Sequence, residues 1–264
     1  MAGLFEEQSE LYASARPNYS TEWYAKFASL TMHHKLAWDV GTGNGQAALG
    51  VAEHYEKVIA TDISAAQLRV ATPHPNIHYI HTPISTPPDG LFPLLGIDVG
   101  SVDLITVAQA IHWFDLPLFF SLASRALRKP GGVIVIWGYN DVSVSPAFDA
   151  AFRRFHSTTL PFWDSRIRYL FDAYRSLPFP FEGVGLGFEG EPKLLDLEKE
   201  VSFEGLMAMV RSWSAILTAE ERGVDLLDEK VVGELKEAWG DQVVRKVIYK
   251  AFMLAGKPRF EVQR

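Results

Sequence analysis

The chain has 264 residues, of which 48% are hydrophobic and 22% are charged, and its formal net charge is −7. This composition is that of a globular protein and excludes a disordered chain. The negative charge disfavours a nucleic-acid partner, and the absence of cysteine excludes disulfides and thiolate metal sites. Because no apolar run approaches the roughly 18 residues of a membrane span and no basic leader is apparent, we expect a cytoplasmic protein without a membrane partner.

Apolar segments alternate with helical segments through the first half of the chain. The predicted strands are 36–40, 58–60, 77–80, 102–107 and 133–137. This alternation predicts an α/β fold with a parallel sheet and helices on both faces. Further along, 194–201 and 244–254 are strand candidates, 203–216 is a predicted helix and 220–239 is mostly helical.

A glycine-rich segment, 39–46 (DVGTGNGQ), follows the first strand and opens a helix. Glycines let the backbone turn sharply and approach a ligand, and the helix offers free N–H groups. A dinucleotide site has the pattern G-x-G-x-x-G, whereas here the third glycine comes one position early. The form D-x-G-x-G-x-G is instead typical of proteins that bind S-adenosylmethionine (SAM).

A second signal follows the second predicted strand. Asp62 lies 21 residues past Gly41, where a carboxylate can accept hydrogen bonds from ribose hydroxyls. Ile63, the next residue, is placed to lie against an adenine ring. The loop and Asp62 together favour a nucleoside cofactor over a turn without a ligand.

These motifs resemble those of the class I SAM-dependent methyltransferases, and within them the small-molecule group related to trans-aconitate methyltransferase. The resemblance covers almost the whole chain and is weakest over 140–200. The matching segments are 12–19, 38–46, 60–64, 108–115, 129–132 and 211–214. It implies that Gly41, Gly43 and Gly45 hold the methionine part of SAM, that Asp39 orders the loop and that Asp62 binds the ribose.

The resemblance also implies roles for residues outside the loop. Gln109 and Ala110, at the end of the fourth strand, would line the floor beside the methyl donor. Tyr12 and Arg16 would lie on an N-terminal lid over the cofactor. Relatives often carry an acidic residue after the third strand for the adenine amino group; this chain has none there, so adenine recognition would fall to Ser85 or to backbone groups.

The resemblance predicts one Rossmann-like methyltransferase domain over 1–264, with a mostly parallel, seven-stranded sheet and an antiparallel last strand. Within it we expect N-terminal lid helices over 1–30 and a SAM-binding core over 31–139. A substrate lid or insertion follows over 140–190, and 191–264 completes the sheet.

His112 follows the fourth strand and is our candidate general base; the alternative is a packed or capping histidine. Trp113 beside it is a candidate substrate wall or a core residue. His78 and His81 face opposite sides of one strand because their spacing is odd, so we expect no metal site.

The segment 148–175 is rich in aromatic residues and carries five arginines. One interpretation is an aromatic acceptor pocket with arginines for an acid, to which Phe162, Trp163 and Arg166 would belong. The other is an amphipathic lid whose arginines lie in water.

We therefore predict an enzyme that transfers a methyl group from SAM to a small-molecule acceptor and releases S-adenosylhomocysteine (SAH). The arginine-rich segment favours a carboxylate oxygen, which is ionised at neutral pH and needs no base. The alternatives are an N- or phenol O-methyltransferase, a SAM-binding protein without methyl transfer, and a nicotinamide-dependent oxidoreductase, which the glycine spacing disfavours. We expect a monomer or homodimer.

Overall fold

The structure, a computed structural model, describes residues 19–259. Within this range nine strands share one sheet. They are β1 Leu36–Val40, β2 Lys57–Asp62, β3 Ile77–His81, β4 Leu104–Ala108, β5 Val133–Ser143, β6 Phe181–Gly183, β7 Gly187–Phe188, β8 Glu191–Ser202 and β9 Val244–Pro258. The strand order is β3-β2-β1-β4-β5-β9-β8-β7, and β6 pairs with β9 off this path.

Helices connect the strands. They are α1 Thr21–Ser29, α2 Gln46–Ala52, α3 Ala65–Arg69, α4 Pro88–Leu95, α5 Leu116–Ala126, α6 Pro146–Thr159, α7 Arg168–Phe171, α8 Phe203–Arg211, α9 Ser214–Glu221 and α10 Glu229–Trp239. No helix in residues 19–259 is both long and apolar enough to cross a membrane.

The first five strands form the parallel sheet that the sequence predicts. β1 pairs in parallel with both β2 and β4, β2 pairs with β3, and β4 pairs with β5. These strands are nearly continuous apolar runs because helices cover both faces of a parallel sheet. Trp38, Ile105 and Ile134 are accordingly at most 2% exposed. The strand order reverses at β1, and ligands bind beyond the carboxyl ends of strands at such a switch point.

The described residues form two compact units. The larger unit comprises 19–139, 169–194 and 252–259, and it contains the parallel sheet. The smaller unit comprises 140–168 and 195–251. The predicted lid over 140–190 is therefore divided between the two units.

The smaller unit has an aromatic core of its own. Phe148 on α6 packs edge-on against Trp239 of α10, with ring centroids 5.4 Å apart. Trp213 packs against Phe152 and Phe155 on the same α6 helix, at 5.9 and 6.4 Å. These large side chains bury apolar area within the unit.

The α/β prediction is confirmed, with differences in the second half of the chain. The sheet has nine strands instead of seven, because β6 and β7 lie in a part of the chain for which the sequence predicts no strand. Both strands are short and antiparallel: β6 pairs with β9, and β7 pairs with β8. Such short strands have no periodic pattern in their local sequence from which they could be predicted. The predicted helix over 203–216 is two helices, α8 and α9, because the chain leaves helical geometry at Trp213.

Candidate functional site

The glycine loop is anchored beneath by a buried carboxylate at the end of β1. Asp39 is 1% exposed, and both of its oxygens accept hydrogen bonds from hydroxyl groups. Thr42 Oγ1 in the loop donates to Oδ2, and Thr106 Oγ1 on β4 donates to Oδ1, each at 2.6 Å. Asp39 thus ties the loop to the neighbouring strand.

Burial also changes the acidity of this group. Loss of hydration, with a smaller contribution from the charge of Asp62, raises the pKa of Asp39 from its usual 3.8 to about 6. The two hydroxyl hydrogen bonds lower the pKa, because they favour the charged form, but they do not compensate for burial. Asp39 therefore changes charge in the mildly acidic range.

Two of the loop glycines are required by the backbone and by close packing. Gly41 has φ +69°, and a Cβ there would lie 2.6 Å from the Cβ of Ala110. Gly45 has φ +87°, and a Cβ there would clash with the ring of Tyr79. L-residues rarely adopt these angles, so only glycine satisfies both conditions.

Asp62, at the end of β2, reaches the same loop. Its Oδ2 accepts the backbone N–H of Gly43 at 2.8 Å, and its Oδ1 accepts the backbone N–H of Ser64 at 2.8 Å. No heavy atom lies within 4 Å of the position that a Cβ on Gly43 would take. A carboxylate and an open stretch of backbone therefore lie side by side at the switch point of the sheet.

The residues predicted to contact adenine are accessible. Ile63 follows Asp62 and is 67% exposed, which is high for an isoleucine. Its carbonyl is hydrogen-bonded to Nε2 of His81, at 2.9 Å, which fixes the backbone there to the end of β3. Ser85 is exposed in the connection between β3 and α4.

Gln109, directly after β4, has an unusual conformation. Its φ is +56°, in the left-handed region, although it is not glycine. Its N–H donates to the carbonyl of Trp137 at 2.9 Å, and its Nε2 donates to the carbonyl of Tyr139 at 3.0 Å. Its Oε1 is buried and has no hydrogen-bond partner among the described residues. Strain of this kind is concentrated at functional sites.

His112 and Trp113 lie in the 3₁₀ turn Ile111–Trp113 that follows Ala110. Their rings are in contact, with centroids 4.9 Å apart. The side chain of His112 is 4% exposed, whereas that of Trp113 is 40% exposed. At this turn Trp113 is therefore accessible from the surface, whereas His112 is buried.

The other predicted substrate residues belong to the smaller unit. Arg166 makes a two-bond ion pair with Asp164, at 2.9 and 2.8 Å. The guanidinium of Arg222 lies over the ring of Phe162, 5.6 Å from its centroid. Trp163 donates its indole N–H to the hydroxyl of Thr159 at 2.8 Å.

Two predicted residues, Tyr12 and Arg16, lie outside the described residues. Between residues 19 and 259 no three His, Asp or Glu side chains are grouped so that they could hold a metal ion.

Comparison with known proteins identifies the family. A methyltransferase-domain family model matches residues 38–136, which include the glycine loop, Asp62 and His112. The structure of a putative type II methyltransferase from Anaeromyxobacter dehalogenans is 31% identical in sequence and aligns with a TM-score of 0.76. That alignment covers 92% of this chain and 99% of the other. The chain belongs to the class I SAM-dependent methyltransferases.

Sequence relatives agree with this assignment. A putative methyltransferase of Dictyostelium discoideum is 29% identical over 96% of this chain and 94% of its own length. The probable SAM-dependent methyltransferase CRG1 of Saccharomyces cerevisiae is 31% identical, over 50% of this chain and 45% of its own length. The predicted Rossmann-like fold, the enzyme class and SAM as cofactor are confirmed. The finer resemblance to trans-aconitate methyltransferase and the acceptor stay predictions.

Sequence reasoning missed two features of this methyltransferase site. Thr106 is the second hydroxyl donor to Asp39, and the only hint was a threonine in an otherwise apolar strand, LITVA. The left-handed backbone of Gln109 had no local signal, because glutamine does not mark such a turn.

Proposed function

We propose that this methyltransferase binds SAM on the glycine loop and Asp62, and transfers its methyl group to an oxygen or nitrogen atom of a small molecule. The observation that carries the proposal is the pairing of the Asp62 carboxylate with the open backbone at Gly43. Backbone that a ligand can approach and a carboxylate for hydroxyl groups are what an adenosine ligand with an amino-acid tail requires.

Each role follows from the local geometry. Asp62 uses one lone pair of each oxygen for Gly43 and Ser64, and its remaining lone pairs accept the ribose hydroxyls. The exposed side chain of Ile63 offers an apolar surface to the adenine ring. Asp39 keeps a negative charge behind the loop at neutral pH, which favours a cofactor that carries a sulfonium cation.

When bound, SAM supplies a methyl group that its sulfonium makes electrophilic. The task of the protein is then to align the acceptor for in-line attack and to exclude water. Ala110 packs against Gly41, so the end of β4 lies beside the loop. This contact supports the predicted role of Ala110 in the floor beside the methyl donor.

The carboxylate acceptor that the sequence favours has weak support in the arginine side chains. Arg166 is already paired with Asp164. Arg153 and Arg154 are exposed and donate to carbonyls of their own helix, and Arg175 is likewise exposed and bonded within its own turn. These contacts fit the amphipathic interpretation of the segment, so hydroxyl and amine acceptors are tested on equal terms with carboxylic acids.

The test is SAH release from SAM with matched panels of carboxylic acids, phenols and amines. We expect release with at least one panel and none without acceptor. The substitution His112→Ala separates the mechanisms: it leaves a carboxylate acceptor almost unaffected, and it slows an acceptor that must lose a proton by about 10²-fold or more. Binding of SAM without SAH release from any panel would favour a SAM-binding protein that does not transfer methyl groups.

A further inference from the structure

Two aspartates are buried in the part of the chain that the structure describes, and only one of them has a cationic partner. Asp103 is 0% exposed, pairs with the guanidinium of Arg128 and accepts the backbone N–H groups of Lys35 and Leu36. Asp39 is 1% exposed and accepts hydrogen bonds from two hydroxyl groups. A buried charge is costly unless it is paired, so the carboxylate of Asp39 requires an explanation.

The other groups that act electrostatically on Asp39 do not supply the missing positive charge. They are Asp62 on β2, Tyr24 on α1 and Tyr79 on β3. Burial, with the charge of Asp39 as a second cause, raises the pKa of both tyrosines, which therefore stay uncharged at neutral pH. Between residues 19 and 259 neither aspartate forms an ion pair with a lysine, arginine or histidine. The glycine loop therefore lies in a negative field.

Asp39 lies directly behind the backbone that we propose as the SAM site. Its Oδ2 accepts the hydroxyl of Thr42, the residue between the loop glycines Gly41 and Gly43. On the other side of the loop, the space beside Gly43 is open. Charges in a medium of low dielectric constant interact over several ångströms without direct contact. A cation bound on the open side of the loop would therefore interact with Asp39 through the loop backbone.

We propose that the carboxylate of Asp39 is the counter-charge for the sulfonium of SAM, and that it determines the preference of the site for SAM over SAH. The inference rests on the proposed function. SAM and SAH share their adenosine and amino-acid groups and differ in the methyl group and in the charge on sulfur. In the reaction the acceptor atom forms a bond to the methyl carbon, the carbon–sulfur bond breaks, and its electron pair stays on sulfur, so the positive charge is lost. Asp39 is thus a specificity-determining residue that favours uptake of the cofactor and release of the product.

This preference should depend on pH, because Asp39 loses its charge when it is protonated. The pKa of Asp39 is about 6 in the folded chain, since burial outweighs the two hydroxyl hydrogen bonds. SAM binds the ionised form more tightly, so its affinity relative to that of SAH rises with pH and is reduced below about pH 6. Groups that contact both ligands equally, among them Asp62 at the ribose, cancel in the ratio of the two affinities.

The experiment measures the dissociation constants of SAM and SAH by calorimetry, on the full chain freed of bound nucleoside, from about pH 5 to pH 8. The first variant, Asp39→Asn, removes the charge and can keep both threonine partners. The second, Thr106→Val, removes one hydroxyl donor and keeps the carboxylate. Thr31→Val is the matched control, because Thr31 is also buried but its hydroxyl bonds to Tyr55 and to a backbone carbonyl. Thermal unfolding at each pH checks that every variant is folded.

In the wild type we expect the ratio of the SAH to the SAM dissociation constant to rise at least threefold across this range and to level off above about pH 7. In Asp39→Asn the ratio should be constant with pH and no larger than the wild-type ratio at the acid end. Thr106→Val should move the rise to higher pH by at least about half a unit, because the lost hydrogen bond favours the charged form. The control should match the wild type.

A wild-type ratio that does not change with pH overturns the inference. A pH-dependent ratio that persists in Asp39→Asn also overturns it and assigns the dependence to another group, such as Asp62. If Asp39→Asn does not fold, the profile of Thr106→Val decides: a profile that coincides with that of the wild type, or an equal shift in Thr31→Val, contradicts the role of Asp39. Failure of the wild type to bind either SAM or SAH would instead contradict the proposed function.

Discussion

Because Asp39 is buried and its pKa is raised, we expect the stability of the fold to depend on pH in a specific way. The pKa of Asp39 is about 6 in the folded chain, compared with its usual value of 3.8. Asp39 is 1% exposed, so solvent screens its charge only slightly. The folded state binds the proton more tightly, so protonated Asp39 stabilises the fold at low pH. That contribution is lost as pH rises through about 6. At about 1.36 kcal/mol per pKa unit, ionising Asp39 in the folded state costs about 3 kcal/mol in total.

The substitution Asp39→Asn isolates this contribution. Asparagine does not ionise, and it can accept one threonine hydroxyl and donate to the oxygen of the other, so the variant keeps partners in place. The unfolding free energy of the wild type minus that of the variant should fall by about 2 kcal/mol between about pH 4.5 and 7.5. Urea unfolding at steps across this range measures the difference, and groups common to both proteins cancel.

The result that would refute this reasoning is a difference that stays constant with pH, or one that rises. A constant difference would mean that the carboxylate is as well solvated in the fold as in the unfolded chain. A rise would mean that the two threonine hydroxyls outweigh burial, so that the pKa of Asp39 is lowered.

The remaining predictions concern glycine and charge. Gly41→Ala should destabilise the fold by about 2–4 kcal/mol through strain and overpacking, and Gly43→Ala by about 1 kcal/mol because the space beside it is open. Both should weaken SAH binding at least tenfold, and a Gly43→Ala protein with unchanged SAH affinity would contradict the cofactor site. Arg128→Met should cost about 3 kcal/mol in urea unfolding, since it leaves the fully buried carboxylate of Asp103 without its cation. Arg166→Ala should change stability by less than about 1 kcal/mol because its ion pair is exposed, and a larger loss would show that the arginine holds the smaller unit together.

The parallel half of the sheet could be predicted because each buried strand is an apolar run followed by a helix. The glycine loop and Asp62 could be predicted because their residue types and spacing have few other uses. The short strands β6 and β7 could not be predicted, because they pair with distant residues and their surrounding sequence is rich in glycine and proline. The conformation of Gln109 is set by carbonyls on β5, about thirty positions along the chain, so local propensity carries no information about it.

Arg166 shows a second limit of prediction from the sequence, which concerns the charge available to a ligand. The sequence already contains Asp164 two positions before it, and an arginine with a near carboxylate is as ready to form a local pair as to bind a ligand. A count of arginines over 148–175 therefore overstates the positive charge that is available to an acceptor. Whether an arginine can bind an acceptor depends on whether it is already paired with a carboxylate, and this is set by side-chain geometry.

The most direct test of the account is calorimetric titration of the chain, freed of bound nucleoside, with SAH, using wild type and Asp62→Ala. The account predicts micromolar binding to the wild type, a loss of affinity of at least tenfold in Asp62→Ala, and no binding of NAD to either protein. A wild type that does not bind SAH, or an Asp62→Ala protein that binds it as tightly as the wild type, would contradict the claim that the glycine loop and Asp62 form the SAM site.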